Sequence, residues 1–323
     1  MIRPSEYVDL LAREYLGSFI AEGGAAVKFV IPLEGATVQD VQPPLRRIAV
    51  DAGYLVADVD ASRTRVHMID QVFFQIARQI DWDALARTAA VRALHDLGFR
   101  VSEHAPLLDI DGIARDAGYA AAELRRDFNA KLQQSVAADF GMTREFRIAM
   151  MRLCQARVDP SGGAQTTRHA VLDWLTGELR RVSSLKPALI YQKITRANAR
   201  HMLFSLAHWA RRNDTRGIVL TVDIRALAVA KRADAGDDVF YTKPSVIDAY
   251  EVLRQLVDGT DEMDGMLIVV LCPEEFTRHE KGRGLALYQA LQMRVYDEVR
   301  DRRRTNPLAA MVRLTPTAGA VAD

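Results

Sequence analysis

AVKFVIPLEGAT, residues 26–37, is the stretch on which the fold turns. Its first half, Ala26 to Ile31, is a nearly unbroken apolar run, as expected of a strand buried on both faces of a parallel sheet. A short loop follows. In a nucleotide-binding α/β domain this is the place of a phosphate-cradling turn, G-x-x-x-x-G-K-S/T. Its glycines let backbone N–H groups close around phosphates, its lysine reaches the outer phosphates, and its hydroxyl holds magnesium. Laid on VIPLEGAT, the pattern puts Gly35 on the second glycine and Thr37 on the hydroxyl. Val30 stands where the first glycine belongs and Ala36 where the lysine belongs. The expectation is a P-loop turn that keeps its frame and lacks its charge.

Outward from that turn, the order of elements supports an open parallel sheet. Residues 5 to 21 have the spacing of an amphipathic helix, with Tyr7, Val8, Leu11, Tyr15 and Phe19 on one side. Pro43-Pro44 suit a first helical turn, and the helix runs on to Gly53. A second strand, Tyr54 to Asp60, completes a βαβ unit. Val66, Ile69, Val72, Phe73, Ile76 and Ile80 mark a further buried helical face. From Trp82 to about Leu185 the sequence reads as helical blocks, around 83–97, 112–139, 143–157 and 166–182, and a long helix is expected over Ile190–Arg212. Strands then resume at Gly217–Asp223 and Gly265–Cys272, separated by a polar loop at 232–238 and a helix at Ser245–Leu256. A helix over 284–302 and a last strand at Met311–Leu314 close the pattern. The fold expected is α/β: an AAA-like P-loop parallel sheet of about five strands with a large helical insertion. The expected division is 1–80 and 189–323 for the two halves of the α/β core, with 81–188 inserted.

Composition excludes several classes. The 43 Lys and Arg nearly cancel the 42 Asp and Glu, leaving a net charge of +1, so no overall field draws the chain to DNA or an anionic membrane. Cys154 and Cys272, the two cysteines, fit no zinc spacing or disulfide framework. The amino-terminal stretch mixes charge with apolar residues at helical spacing, unlike a signal peptide. No window approaches the roughly 18 apolar residues of a membrane span. A soluble, cytoplasmic protein with no membrane partner is expected.

The acid ending the third strand of such a sheet normally holds magnesium, and a carboxylate beside it positions the attacking water. Asp223 takes the first place and Ile224 the second, where an aliphatic side chain cannot polarise water. Cys272-Pro273 follows the fourth strand, where a polar phosphate sensor is expected. A generic doubly wound sheet, with no P-loop ancestry, would also fit the order of elements.

GGAAVKFVIP, VHMIDQVFFQIARQIDWDALAR, NARHMLFSLAHWARR with GIVLTVDIRAL, and SVIDAYEVLRQLVDGTDEMDGMLIVVLCPEEF resemble the ATP-binding proteins of BREX phage-defence systems. The likeness spans roughly residues 20 to 314. It implies an AAA-like P-loop protein with a helical insertion before the acid-bearing strand. It also implies a subunit that assembles with other defence-system proteins, as a homo- or hetero-oligomer, with any contact to DNA indirect. Members with intact chemistry carry a Gly-Lys-Ser/Thr turn and an acidic pair. This chain matches at Gly35, Thr37 and Asp223 and departs at Ala36 and Ile224. Hydrolysis is therefore in doubt, and the leading expectation is a non-catalytic scaffolding or regulatory subunit with a vestigial nucleotide site.

Two alternatives stay open. One is an unorthodox ATP binder or ATPase, holding ATP or ADP with magnesium, in which Lys28, Lys243 or a neighbour's arginine replaces the missing lysine. The other is a nucleic-acid-binding module using arginine patches, Arg300 and Arg302–Arg304 near the carboxyl end and Arg196, Arg200, Arg211 and Arg212 along one helix. A solvated face is the plainer reading of most of them, because Asp297, Glu298 and Asp301 can pair with the first group. Lys28, Arg294 and Arg303 are the candidate phosphate or interface contacts. No catalytic residue and no metal ligand set is assigned.

Overall fold

A computed structural model of the chain describes residues 2–33, 35–101, 108–230, 238–278, 282–296 and 306–315. Five strands are β1 (Ala25–Pro32), β2 (Leu55–Asp60), β3 (Ile218–Asp223), β4 (Met266–Leu271) and β5 (Met311–Leu314). They form one all-parallel sheet in the order β2-β3-β4-β1-β5. Every residue of β3 and β4 is buried, as their unbroken Val/Ile/Leu runs require of central strands covered on both faces. β3 and β4 begin side by side at two glycines. Gly217 has φ +138, and a Cβ there would stand 2.1 Å from the carbonyl oxygen of Gly265, so no larger residue fits this approach.

The helices, in chain order, are α1 (Pro4–Leu10), α2 (Gln42–Asp51), α3 (Ile69–Ala77), α4 (Trp82–Asp96), α5 (Ile110–Asp116) and α6 (Ala121–Leu132). They continue with α7 (Arg144–Ala156), α8 (Gly162–Thr176), α9 (Ala199–Arg212), α10 (Lys243–Asp258) and α11 (Gln289–Val295). α1 passes directly into a π-helical stretch, Leu11–Phe19, where the spacing alone implies one regular helix. Among the described residues no helix is long and apolar enough to cross a membrane.

Packing divides the chain into two units, residues 1–79 with 215–323 and residues 80–214. The first holds the sheet. One face of that sheet buries Val30, Val219, Leu267, Val269 and Leu271 against Tyr7, Leu11, Leu16, Leu45 and Ala49. The other face includes Phe29, stacked on Phe276 at 5.8 Å, which in turn meets Tyr250 of α10 edge-on. The second unit is helical. α9 belongs to it: Ser205 Oγ accepts the backbone N–H of Thr143 at 2.9 Å, and the His208 ring meets Asp139 at 3.0 Å. The division therefore falls after α9, at 214/215, rather than before it.

Several helices are shorter than periodicity implies, each for a local reason. The helix expected from Ile190 starts at Ala199, because the Asn198 side chain takes the N–H of Thr195 at 2.8 Å and donates to the Lys193 carbonyl at 3.2 Å. α8 stops at Thr176 on a left-handed Gly177. The helix expected over 284–302 is a 3-10 turn, Leu285–Leu287, followed by α11, and 297–305 lie outside the described residues, as does most of the polar loop at 232–238.

Candidate functional site

Strands in a parallel sheet all end on one edge, so register decides which residues share it. Val30 of β1 is level with Leu271 of β4, and Leu271 is level with Asp223 of β3. The loop after β1 and the Asp223 carboxylate therefore lie on the same carboxyl edge, two strand spacings or roughly 10 Å apart. This is the edge at which open α/β sheets bind ligands.

After β1, the Ala36 N–H closes a turn onto the Leu33 carbonyl at 3.0 Å. Gly35 in that turn has φ +92, a conformation that favours glycine. The donors that follow this turn are taken up by the chain itself, at the surface. The Thr37 N–H donates to Asp40 Oδ2 at 2.7 Å, and the Thr37 hydroxyl donates to the same oxygen at 2.8 Å. Both Thr37 donors are thus taken by a carboxylate three residues on.

The following helix adds a second obstacle. A phosphate turn leads straight into a helix whose first N–H groups face the ligand. Here a 3-10 turn, Val38–Asp40, intervenes, and α2 begins at Gln42 with Pro43 and Pro44 as its next two residues. Prolines carry no N–H, so two of the donors a helix start offers are missing. Leu45 donates to Val41 at 3.0 Å. Val38 and Val41 are buried in the core and Ala36 packs against it, so a methyl group faces inward at the position of the lysine.

At the end of β3, Asp223 is mostly buried and held by Arg225. The Arg225 Nε lies 3.0 Å from both carboxylate oxygens, Nη2 lies 2.6 Å from Oδ2, and the Arg225 backbone N–H donates to Oδ1 at 3.0 Å. The same hydrogen bonds raise the Arg225 guanidinium above its ordinary pKa. Ile224 is fully buried and donates its N–H to Leu271 at 3.0 Å, so it offers no polar group at the edge; the carboxylate level with Asp223 is Asp60, at the end of β2. Burial pushes the Cys272 thiol well above its usual value, which makes it an inert packing group.

The other candidates lie elsewhere. Lys28 is five residues before Leu33, roughly 16 Å back along its strand. Its ammonium donates to the Leu308 carbonyl at 2.6 Å and the Ala309 carbonyl at 3.2 Å and lies 4.6 Å from the centre of the Tyr15 ring. Burial lowers its pKa to about 8. Arg294 on α11 pairs with Asp258 on α10, which also receives Arg254. Arg254 in turn holds Glu251, whose pKa falls to about 2 chiefly through that hydrogen bond, so Arg294 closes a ladder between two helices. Lys243 stands at the first position of α10. Arg303 lies outside the described residues, with Arg300, Arg302 and Arg304.

Asp58 on β2 accepts the Gln42 amide at 2.9 Å and also the Arg46 guanidinium and the Thr221 hydroxyl. It fastens α2 across β2 and β3 rather than presenting an open ligand. Among the described residues, no group of three His, Cys, Asp or Glu side chains is placed to hold a metal.

Sequence reasoning missed Asp40 and Arg225, the partners of Thr37 and Asp223. Thr37-x-x-Asp40 carries the pattern of a helix cap, which was readable from spacing. Arg225, two residues after Asp223, has no such signature.

An open crevice of about 550 Å³ adjoins this edge, lined by Arg225, Val229, Pro273, Glu274 and Glu275. No curated protein and no solved structure matches the chain. The model of the family described as BREX system ATP-binding protein BrxC/D matches residues 16–320. With nearly its whole length matched and a five-stranded parallel α/β sheet of P-loop type, the chain belongs to that BREX ATP-binding protein family.

Proposed function

We propose that this chain is a non-catalytic subunit of a BREX defence complex, an AAA-like P-loop protein whose nucleotide edge has become structural. The observation that carries the reading is the Asp40 carboxylate on both the N–H and the hydroxyl of Thr37. Arg225 on Asp223, the buried Ile224 and the prolines at the start of α2 point the same way. Bound triphosphate would face a carboxylate in place of a lysine, and magnesium would compete with a guanidinium for its acid. These residues do not fit a magnesium–triphosphate pair. The scaffold role has the sheet unit packing on neighbouring proteins and the helical unit offering them a surface.

Titration of ATP with magnesium into the full chain tests this directly. Expected are no saturable binding in the micromolar range and no turnover, together with retention of other BREX proteins in a pull-down. ATP turnover that Asp223→Ala abolishes would overturn the reading.

A second reading, nucleotide held without hydrolysis, draws on the family's ATP-binding description and on the crevice beside Arg225, whose volume suits a small ligand. It predicts saturable ATP binding without turnover, weakened by Arg225→Ala.

A further inference from the structure

The chain is nearly neutral as a whole, yet between Glu178 and Asp214 it carries eight lysines and arginines and no carboxylate. With 42 acids in 323 residues, four or five would be expected across such a span, so the gap is a local excess of cations along the chain. Arg212 in this span is paired with Asp139, which leaves the stretch from 180 to 200. Arg180, Arg181, Lys186, Lys193 and Arg196 are all exposed there, and none forms an ion pair among the described residues.

This stretch is held in place from beneath. Leu185, Ala188, Ile190 and Ile194 are buried, and the Trp174 indole N–H donates to the Gln192 carbonyl at 2.9 Å. Between these anchors, Tyr191 stands 62% exposed, next but one to the half-exposed Leu189. Leu189 has φ +62, a conformation that costs a leucine free energy. Anchored backbone thus presents an aromatic ring among unpaired cations.

A cavity of about 320 Å³ in the same helical unit adjoins it at Pro187. Arg152, which lines this cavity, bonds the Gln155 amide oxygen at 2.9 Å and the Ala188 carbonyl at 3.5 Å, so its charge meets no carboxylate among the described residues. Arg125, also lining it, is neutralised by Asp111 at 2.8 Å. Asp159 lines the cavity as well and limits its positive potential, which leaves the stretch outside it as the main binding surface.

We propose that residues 180–200 form a binding surface for single-stranded nucleic acid, with Lys186, Lys193 and Arg196 meeting phosphates and Tyr191 stacking a base. Cations tracking a backbone and an exposed ring that accepts any base are the two elements of such surfaces. A loop with a projecting aromatic suits unpaired bases, whereas a duplex groove is read by an inserted helix or ribbon. The surface goes beyond the scaffold role and is independent of the nucleotide edge. It differs from the expectation that any DNA contact is indirect.

Fluorescence anisotropy of the full chain with a labelled oligonucleotide of about 16 residues, single-stranded or as a duplex, tests it. Expected is saturable binding of the single strand at about 50 mM salt that weakens steeply towards 200 mM. The Lys186→Ala, Lys193→Ala, Arg196→Ala triple variant should flatten the log–log salt slope by about 2, at roughly 0.7 for each phosphate no longer neutralised. Tyr191→Ala should weaken single-strand binding about tenfold and leave duplex binding unchanged. All four side chains are exposed, so circular dichroism should show unchanged folding. No saturable binding at the low salt, an unaltered slope in the triple variant, or equal binding of polyglutamate would each overturn the proposal.

Discussion

At the carboxyl edge of the sheet, Asp223 closes on Arg225 and Thr37 closes on Asp40; in the helical unit, Arg180, Lys186, Lys193 and Arg196 close on nothing among the described residues. Both regions hold charged groups of the kind that bind phosphates. The first satisfies them from within, so a triphosphate would have to displace a bonded carboxylate or guanidinium before gaining anything. The second leaves the cations to water, and an external polyanion gains their attraction at little desolvation cost. Abundance of charge is therefore a poor guide to where a ligand binds. What matters is whether the charge already has a partner.

Lys28 offers the largest test of this rule, because it is a buried cation whose partners are carbonyls and a ring rather than an acid. The unfolded chain keeps this proton up to about 10.5, while the folded chain releases it near 8, so the unfolded state binds more protons in between and stability rises with pH. Wild type should therefore gain up to about 3 kcal/mol over Lys28→Met as pH rises through that window, read from urea unfolding. Parallel pH profiles for the two proteins would show that Lys28 is as well satisfied as Asp223.

A smaller effect is expected at Asp83 in the helical unit, where one carboxylate faces Arg168 and Arg157. Burial raises its pKa, but the Arg168 hydrogen bond and the surrounding arginines outweigh that and hold it below the usual range. Its contribution is present above the ordinary carboxylate pKa and is lost as pH falls through the folded value. Asp83→Ala should cost about 2 kcal/mol at neutral pH, less than a fully buried pair because Asp83 keeps some exposure. If the cost were negligible, internal pairing would not separate this cluster from the open stretch at 180–200.

The smallest expected effect is at the cap. Asp40→Ala should cost about 1 kcal/mol and still bind no ATP, since Pro43 and Pro44 remain. Saturable ATP binding by this variant would break the contrast, because the carboxylate alone would then have kept the edge shut.

The parallel sheet was legible because buried strands write themselves as apolar runs, and AVKFVIPL, GIVLTVD and GMLIVVLC each became one. Ala36 and Ile224 were equally legible as departures from a chemical pattern. Pairings were harder. Periodicity gives a helix its face but not its start, so the Asn198 side chain that delays α9 to Ala199 left no trace in it. The basic stretch was visible as individual arginines on a supposed helix; its significance emerged once Ile190–Asn198 proved to be an anchored loop with Tyr191 outward.

Pro43 and Pro44 also bear on reversibility. A missing lysine can return through a single substitution, but a proline has deleted a backbone amide, and no side-chain change elsewhere supplies one at that spot. On the proposed reading, a triphosphate site at this edge would need both imino acids replaced as well as a lysine at Ala36.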